Sequence, residues 1–404
     1  MGDFIGLNTH TVQFKTDLYR PVTRVLRNYH PMEWDLGGDT SGATTFPMTH
    51  NGISWLQLYG DWKAKGFTID ASAQFESIDP GKWKDLAKDP YAYGEAFARY
   101  FGPSGEHKLL ESVEIGNEPQ KFSEAQYRTV FENMAKGLRK GDPKLQIATC
   151  AVAVGNHDQW SKDVNGLKGL EPLYDILNVH SYAMAEGWPT WRRSYPEDPK
   201  IPYLKQIQDV IDWRNANATG KKVWLTEFGW DSSTKKPTGD ENAVKWIGNT
   251  DTEQARYIVR SYLVFSGMDI DRAYLYWFND EDTASLHAAS GLTRHYQPKP
   301  SYWAVAHLLK TLEGYRYAKT ITQKEGEVYA YEYAPVKGKG DRVLAVWSPT
   351  GSSRTVSFKL PKGIGKVVRA ERMPLTEGAP EKVAVQSDSL KVDESPVYVW
   401  LRGK

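Results

Sequence analysis

Val113-Glu114-Ile115-Gly116-Asn117-Glu118-Pro119, set beside Val223-Trp224-Leu225-Thr226-Glu227-Phe228-Gly229-Trp230, decides how the chain is read: in each, a short β-prone run stops at a glutamate. Working outward, runs of this kind recur as Phe4–Asn8, Thr23–Tyr29, Gly66–Ala71, Leu110–Ile115, Leu145–Val152, Ile176–His180, Lys222–Thr226 and Arg272–Trp277, eight in all. Helical patterns lie between them, among them Tyr91–Tyr100, Glu124–Lys140, Tyr203–Ala216 and Thr252–Ser266. Ser123-x-x-Gln126 and Thr250-x-x-Glu253 have the form of capping boxes, in which side chain and backbone satisfy each other's orphan groups. Eight β-then-α units call for parallel strands, so the expected class is α/β, closed as a (β/α)8 TIM barrel. An open, doubly wound sheet is the rival, but no glycine-rich phosphate loop follows Phe4–Asn8.

From about residue 316 the pattern changes. Val328–Tyr333, Arg342–Trp347, Thr355–Leu360, Val367–Arg372, Lys382–Gln386 and Pro396–Leu401 are short, mostly alternating runs separated by turn formers, with Lys337 to Gly340 expected as a solvated hairpin tip. The expected organisation is a barrel over 1–315 and a small all-β sandwich over 316–404. Tyr329, Tyr331, Tyr333, Trp347, Tyr398 and Trp400 fall mostly on alternate positions, as in a sandwich core, and the small domain is expected to buttress the barrel.

The composition of the 404 residues excludes several partners. Lys+Arg 51 against Asp+Glu 50 leaves a net charge of +1, which offers no basic field for nucleic acid or an anionic membrane. No run approaches the roughly 18 apolar residues of a membrane span, and the start lacks the basic-then-apolar pattern of a signal peptide. One cysteine, Cys150, excludes an internal disulfide or a cysteine-cluster metal site. Trp 15, Tyr 23 and Phe 13 make the chain 13% aromatic, with several rings in polar stretches such as Trp188-Pro189-Thr190-Trp191-Arg192-Arg193. Flat apolar rings beside hydrogen-bonding groups suit a sugar ring.

In a barrel the site forms where the strands end at their C-termini. Strand four delivers Asn117 and Glu118 there, and strand seven delivers Glu227. Glycoside hydrolysis needs one carboxylic acid to protonate the leaving oxygen and a second carboxylate across the sugar. Asn117-Glu118-Pro119 on strand four with Glu227 on strand seven resembles the retaining (β/α)8-barrel glycoside hydrolases of clan A, the 4/7 superfamily, across residues 1–315. With its sandwich, the layout is most similar to glycoside hydrolase family 39. The resemblance implies that Glu227 is the nucleophile and Glu118 the acid/base. It implies further that Arg27 and Tyr182 support Glu227, Asn117 bonds the sugar 2-hydroxyl, His180 belongs to the strand-six pair, and Trp277 floors the subsite. Several families of the clan have a histidine near the end of strand three. This chain has Gln74 there, which takes part of that role unless the strand assignment is shifted.

The βα loops are expected to add specificity. Trp188, Trp191, Arg192, Arg193 and Tyr195 suit either stacking and an anionic sugar or, with rather more weight, a surface loop held by internal cation–π contacts. His10, the segment from His30 to Trp34, Trp230, Asp231 and Asn279 are expected to border the cleft, and Asn156-His157-Asp158 is either a Ca²⁺-friendly or substrate-facing turn or, as is usual for such triplets, plain loop. No metal-binding His-Glu-x-x-His and no Gly-x-Ser-x-Gly elbow occur, so neither metal nor cofactor is expected. The leading expectation is an endo-acting retaining β-glycoside hydrolase on a poly- or oligosaccharide, with an exo-acting β-glycosidase as the alternative. From another class, a non-catalytic carbohydrate-binding barrel is weighed against the intact pair of carboxylates. Secreted or periplasmic location is expected by analogy with polymer-degrading enzymes.

Overall fold

A computed structural model describes residues 1–10, 14–42, 44, 46, 54–238, 245–338 and 340–402. Eight parallel strands close into a barrel: β1 Ile5–Thr9, β2 Val25–Pro31, β3 Thr68–Gln74, β4 Ser112–Ile115, β5 Gln146–Ala153, β6 Ile176–His180, β7 Lys222–Phe228 and β8 Arg272–Leu275. Each pairs with the next, and β8 returns to β1 with Ala273 beside Ile5. The main surrounding helices are α1 Trp55–Ala64, α2 Lys88–Phe101, α3 Glu124–Gly141, α4 Tyr203–Asn217, α5 Asp251–Ser266 and α6 Pro300–Leu312. Between β5 and β6 the connection holds the two-residue strand Lys162–Asp163 and the short 3-10 turns Val164–Leu167 and Glu171–Leu173 in place of a long helix. Both capping boxes form, at Ser123 and Thr250. On α3 the residues at helical spacing, Tyr127, Val130, Phe131, Met134 and Leu138, are buried as one stripe. None of the described helices is long and apolar enough to cross a membrane.

The barrel is a packed core whose lower layer is Val25, Ala148, Ile176, Trp224 and Tyr274. Above it the buried residues turn polar: Asn8, Arg27, Asp70, Glu114, Asn178 and Thr226. That change from apolar to polar marks the end of the barrel where chemistry is possible.

The C-terminal unit is two antiparallel sheets. One contains β9 Tyr315–Lys324, β10 Val328–Pro335, β11 Arg342–Trp347, β13 Lys366–Arg372 and β15 Val397–Arg402; the other pairs β12 Val356–Lys359 with β14 Ser389–Val392. One expectation is corrected here. The sandwich interior is mostly aliphatic, built from Val328, Ala330, Leu344, Val346 and Val399 together with Phe358. The aromatic set Tyr329, Tyr331, Tyr333, Trp347, Tyr398 and Trp400 belongs to the barrel's own hydrophobic cluster. Period-two alternation puts these residues on one face, and that face lies against the barrel because the Tyr and Trp polar tips find partners there. Tyr333 OH is 2.8 Å from Ser266 Oγ of α5, and Trp347 Nε1 donates to Glu197 Oε1 at 2.7 Å. Glu197 is also ion-paired with Arg260 of α5, and both are fully buried. The small domain therefore holds the loop after β6 as well as the helices.

Candidate active site

Arg27 stands at the centre of the polar layer. Its guanidinium forks onto Glu114, with Nε 2.9 Å from Oε1 and Nη2 2.7 Å from Oε2. Nη1 donates to Asn8 Oδ1 at 2.8 Å and to Glu227 Oε1 at 3.1 Å, and Nη2 donates to Asn117 Oδ1 at 2.8 Å. A fully buried cation requires this enclosure, since an unpaired charge in the interior costs several kcal/mol. One side chain thereby links four strand ends and fixes both Asn117 and Glu227.

Glu227 lies at a register shift in both of β7's pairings, where His180 of β6 comes opposite it. Such an irregularity re-aims a side chain, and here it turns the carboxylate into the barrel mouth. Oε1 also accepts from Tyr29 OH at 2.7 Å, and Oε2 accepts from Tyr182 OH at 2.8 Å. Burial pushes this carboxyl up, but positive charge on His180 and Arg27, with the two tyrosine hydrogen bonds, holds it well below the usual carboxylate range. It is a fixed anion.

Glu118 is held differently. After β4 the chain turns at Gly116, whose φ of +86° favours glycine; an added Cβ would also press on the Phe75 ring at 2.6 Å. The next two backbone N–H groups, of Asn117 and Glu118, donate to Glu76 Oε1 at 2.5 and 3.1 Å. Burial raises Glu76 to about 7, against the lowering effect of those N–H bonds, and its Oε2 is buried without a partner among the described residues. The Glu118 carboxyl is more open than that of Glu227, with side-chain exposures of 27% and 7%, and it lies 2.8 Å from His180 Nδ1. His180 Nε2 is 3.0 Å from Thr226 Oγ1, and facing carboxylates outweigh burial to raise the imidazole above its ordinary value. Glu118, His180 and Glu227 each place one polar atom within 4.8 Å of the others. A metal ion would fit that triangle by distance, but its charge would face the Arg27 guanidinium, already 3.1 Å from Glu227. The donor set suits protons better.

A cleft of about 1030 Å³ opens over this floor. Of the residues singled out from sequence, His10, Gln74, Asn117, Glu118, His180, Tyr182, Trp191 and Glu227 line it, as do Trp34, His157 and Asp158. Arg27 lies beneath it. Seven expectations are corrected. Trp277 packs behind the wall, edge-on to His10 at 4.1 Å, and Tyr276 lines the cleft instead. Both residues lie just beyond β8, and their rings stack with centroids 5.7 Å apart, Tyr276 being the one that faces the cleft. Trp230 is fully buried, with Nε1 donating to Ser194 O at 2.7 Å. Asn279 is buried too, its Oδ1 accepting from Tyr296 N at 2.6 Å. Trp188 is 63% exposed, away from the cleft lining, with the Lys245 ammonium 6.0 Å from its ring. Arg192 pairs with Glu186 at 2.7 Å on the surface. His30 and Asp231 are likewise internal, bonded to Asp35 and Ser290.

Sequence reasoning missed Tyr29, Glu76, Trp160, Tyr276 and His287. Tyr29 was within reach, two residues beyond Arg27 on one strand and so on the same side. Glu76, on the 3-10 turn Phe75–Ser77, carried no signal, because its partners are backbone groups 41 and 42 positions away.

No family pattern matches the chain, and no curated protein matches it by sequence. Solved structures do match. A family 39 glycoside hydrolase from the gut symbiont Bacteroides cellulosilyticus WH2 superposes with a TM-score of 0.73 at 17% identity, over 98% of this chain and 80% of that one. A glucosidase from Croceicoccus marinus matches at 0.65 and 13%, over 100% and 96%. A family 30 endoxylanase from Clostridium papyrosolvens C71 matches at 0.58 and 14%, over 99% and 96%. The fold is therefore the one these solved glycoside hydrolases share along nearly the whole chain.

Proposed function

We propose that this protein is a retaining β-glycoside hydrolase that cuts within an oligo- or polysaccharide. The observation that carries the reading is the unequal pair of carboxylates on strands four and seven, with oxygens within 4.8 Å across His180. Retaining enzymes hold their two carboxyl groups about 5–5.5 Å apart, whereas inverting ones leave roughly 6.5–9.5 Å for a water. Glu227, buried and kept anionic by Arg27, Tyr29 and Tyr182, attacks the anomeric carbon and forms a glycosyl ester. Glu118, half-open and turned toward the cleft, gives a proton to the departing glycosidic oxygen. It then takes one from the water that cleaves the ester, so the proton count closes over the cycle. His180 Nδ1 lies against Glu118 and orients it between those two states. Asn117, oriented by Arg27, presents its amide to the sugar hydroxyl beside the reacting carbon. Rings flanking the floor, Trp34, Trp160 and Trp191, extend the stacking surface beyond one sugar, which supports internal cleavage.

The test is hydrolysis of aryl β-glycosides and a polysaccharide panel by the wild type, Glu118→Gln and Glu227→Gln. Loss on the order of 10⁴-fold or more at Glu227 is expected. A smaller loss at Glu118 is expected for substrates whose leaving group needs no proton. The first product seen by proton NMR should keep the β configuration. An α product, or losses of only a few-fold in both variants, overturns the mechanism, and monosaccharide alone from the first minutes overturns internal cleavage.

A further inference from the structure

The loop arginines suggested an acidic sugar, but the charges at the cleft point the other way. No lysine or arginine lines it among the described residues. The undescribed residues in the sequence of the barrel part, 11–13, 43, 45, 47–53 and 239–244, contain neither residue type. The arginines nearest the floor are already engaged. Arg27 is enclosed by Glu114, Glu227, Asn8 and Asn117. Arg193 is buried, with Nη1 2.7 Å from Gly229 O and 3.1 Å from Asp231, its guanidinium lying over the Tyr182 ring at 4.5 Å. Its Nη2 meets His287 Nδ1 at 3.1 Å, and its Nε is buried without a hydrogen-bond partner among the described residues.

That last contact settles a tautomer. A guanidinium only donates, so His287 Nδ1 must accept and the ring proton sits on Nε2. Burial and the Arg193 charge lower His287 to about 4, so this cleft-lining ring is neutral under ordinary conditions and offers an N–H, not a cation. His10 is similarly lowered to about 4, by burial. Acidic side chains, by contrast, do face the cleft: Glu118, Glu227 and Asp158. A uronate or sulfate brought here would find like charge and no fork to bind it, which costs binding energy instead of supplying it.

We infer that the glycan this cleft accepts is uncharged along the bound stretch, held by ring stacking on Trp34, Trp160 and Trp191 and by neutral hydrogen-bond donors such as His287, with no lysine or arginine anchor and with the His180 charge already matched by Glu118 and Glu227. The inference rests on the hydrolase reading for the word substrate, but binding tests it separately. Affinity electrophoresis of Glu118→Gln through gels holding neutral (xylan, mixed-linkage β-glucan, galactan, agarose) or anionic polymers (polyuronate, sulfated galactan) reports binding. Wild-type digestion of the same panel reports cleavage. Retardation by at least one neutral polymer and by no anionic one is expected, with KM changing less than about two-fold between low salt and 0.5 M NaCl. His287→Ala should raise KM several-fold, whereas His287→Gln, which keeps a neutral N–H donor, should restore part of it. Preferential retardation or cleavage by a uronate or sulfated polymer, or a KM that rises steeply with salt, overturns the inference and leaves the hydrolase reading intact. Neutral binding with no cleavage by the wild type sinks the hydrolase reading and leaves the ligand class standing. Retardation by no polymer overturns both.

Discussion

The cleft floor and the loop after β6 are both rich in charged and aromatic residues, yet they are built on opposite principles. On the floor, side chains from strand ends satisfy one another: Arg27 alone joins Asn8, Glu114, Asn117 and Glu227. Each partner has one available geometry, because the strands fix the backbone and burial penalises any unpaired atom. In the loop, Trp188, Trp191, Arg192 and Arg193 are near neighbours in sequence and end in four environments: solvent, the cleft, a surface ion pair and the interior. Residue type predicts role where position is fixed by a strand, and fails where the chain itself must first choose a path.

The contrast can be broken most severely at Arg27. Arg27→Met leaves Glu114 and Glu227 buried without their cation, so the fold should lose about 3–5 kcal/mol in urea unfolding, and kcat should fall by about 10²–10³ in whatever folds. A variant of wild-type stability would mean that the floor is not a closed network. Glu76 supplies the next largest effect. It is an acid raised from 4.5 to about 7, so its proton stabilises the fold fully below pH 4.5, and that contribution is lost as pH rises through 7. The group should therefore impose a fall of about 3 kcal/mol across that window. Glu76→Gln should flatten it while preserving the acceptor for the Asn117 and Glu118 N–H groups. Urea midpoints at pH 4.5 and 7.5 decide the matter, and an unchanged slope would show that Glu76 is not the titrating group. On the loop the effects shrink. Trp191→Ala should raise KM about ten-fold by removing a stacking face, while Trp188→Ala leaves KM unchanged. Arg192→Ala should move stability by less than about 0.5 kcal/mol, as for other exposed pairs. A KM shift at Trp188 or Arg192 comparable to that at Trp191 would erase the distinction drawn between them.

The C-terminal sheet shows the same lesson in a different form. The alternation of Tyr329, Tyr331 and Tyr333 announced that one face is buried, and the face is indeed continuous with Trp347 and Trp400. Alternation carries no information about what lies against a face. Both sides of the sheet are covered, and only the partners of the polar tips, Ser266 for Tyr333 and Glu197 for Trp347, show that the aromatic side meets the barrel. Trp277 and Tyr276 make the point just beyond a single strand end: the two rings stack on each other with centroids 5.7 Å apart, yet it is Tyr276 that lines the cleft.

From its sequence alone this chain determined its eight strand-then-helix units, its separate all-β end, and the two glutamates with their arginine, asparagine, histidine and tyrosine. Periodicity, capping and strand-end position are local properties, written in neighbouring residues. Tertiary structure alone decided that Glu76 braces the acid's backbone, that Arg193 pins the tautomer of His287, and that the loop arginines turn away from the cleft lining. Each of those facts depends on which buried donors and acceptors meet across distant strands, and no local pattern encodes that meeting.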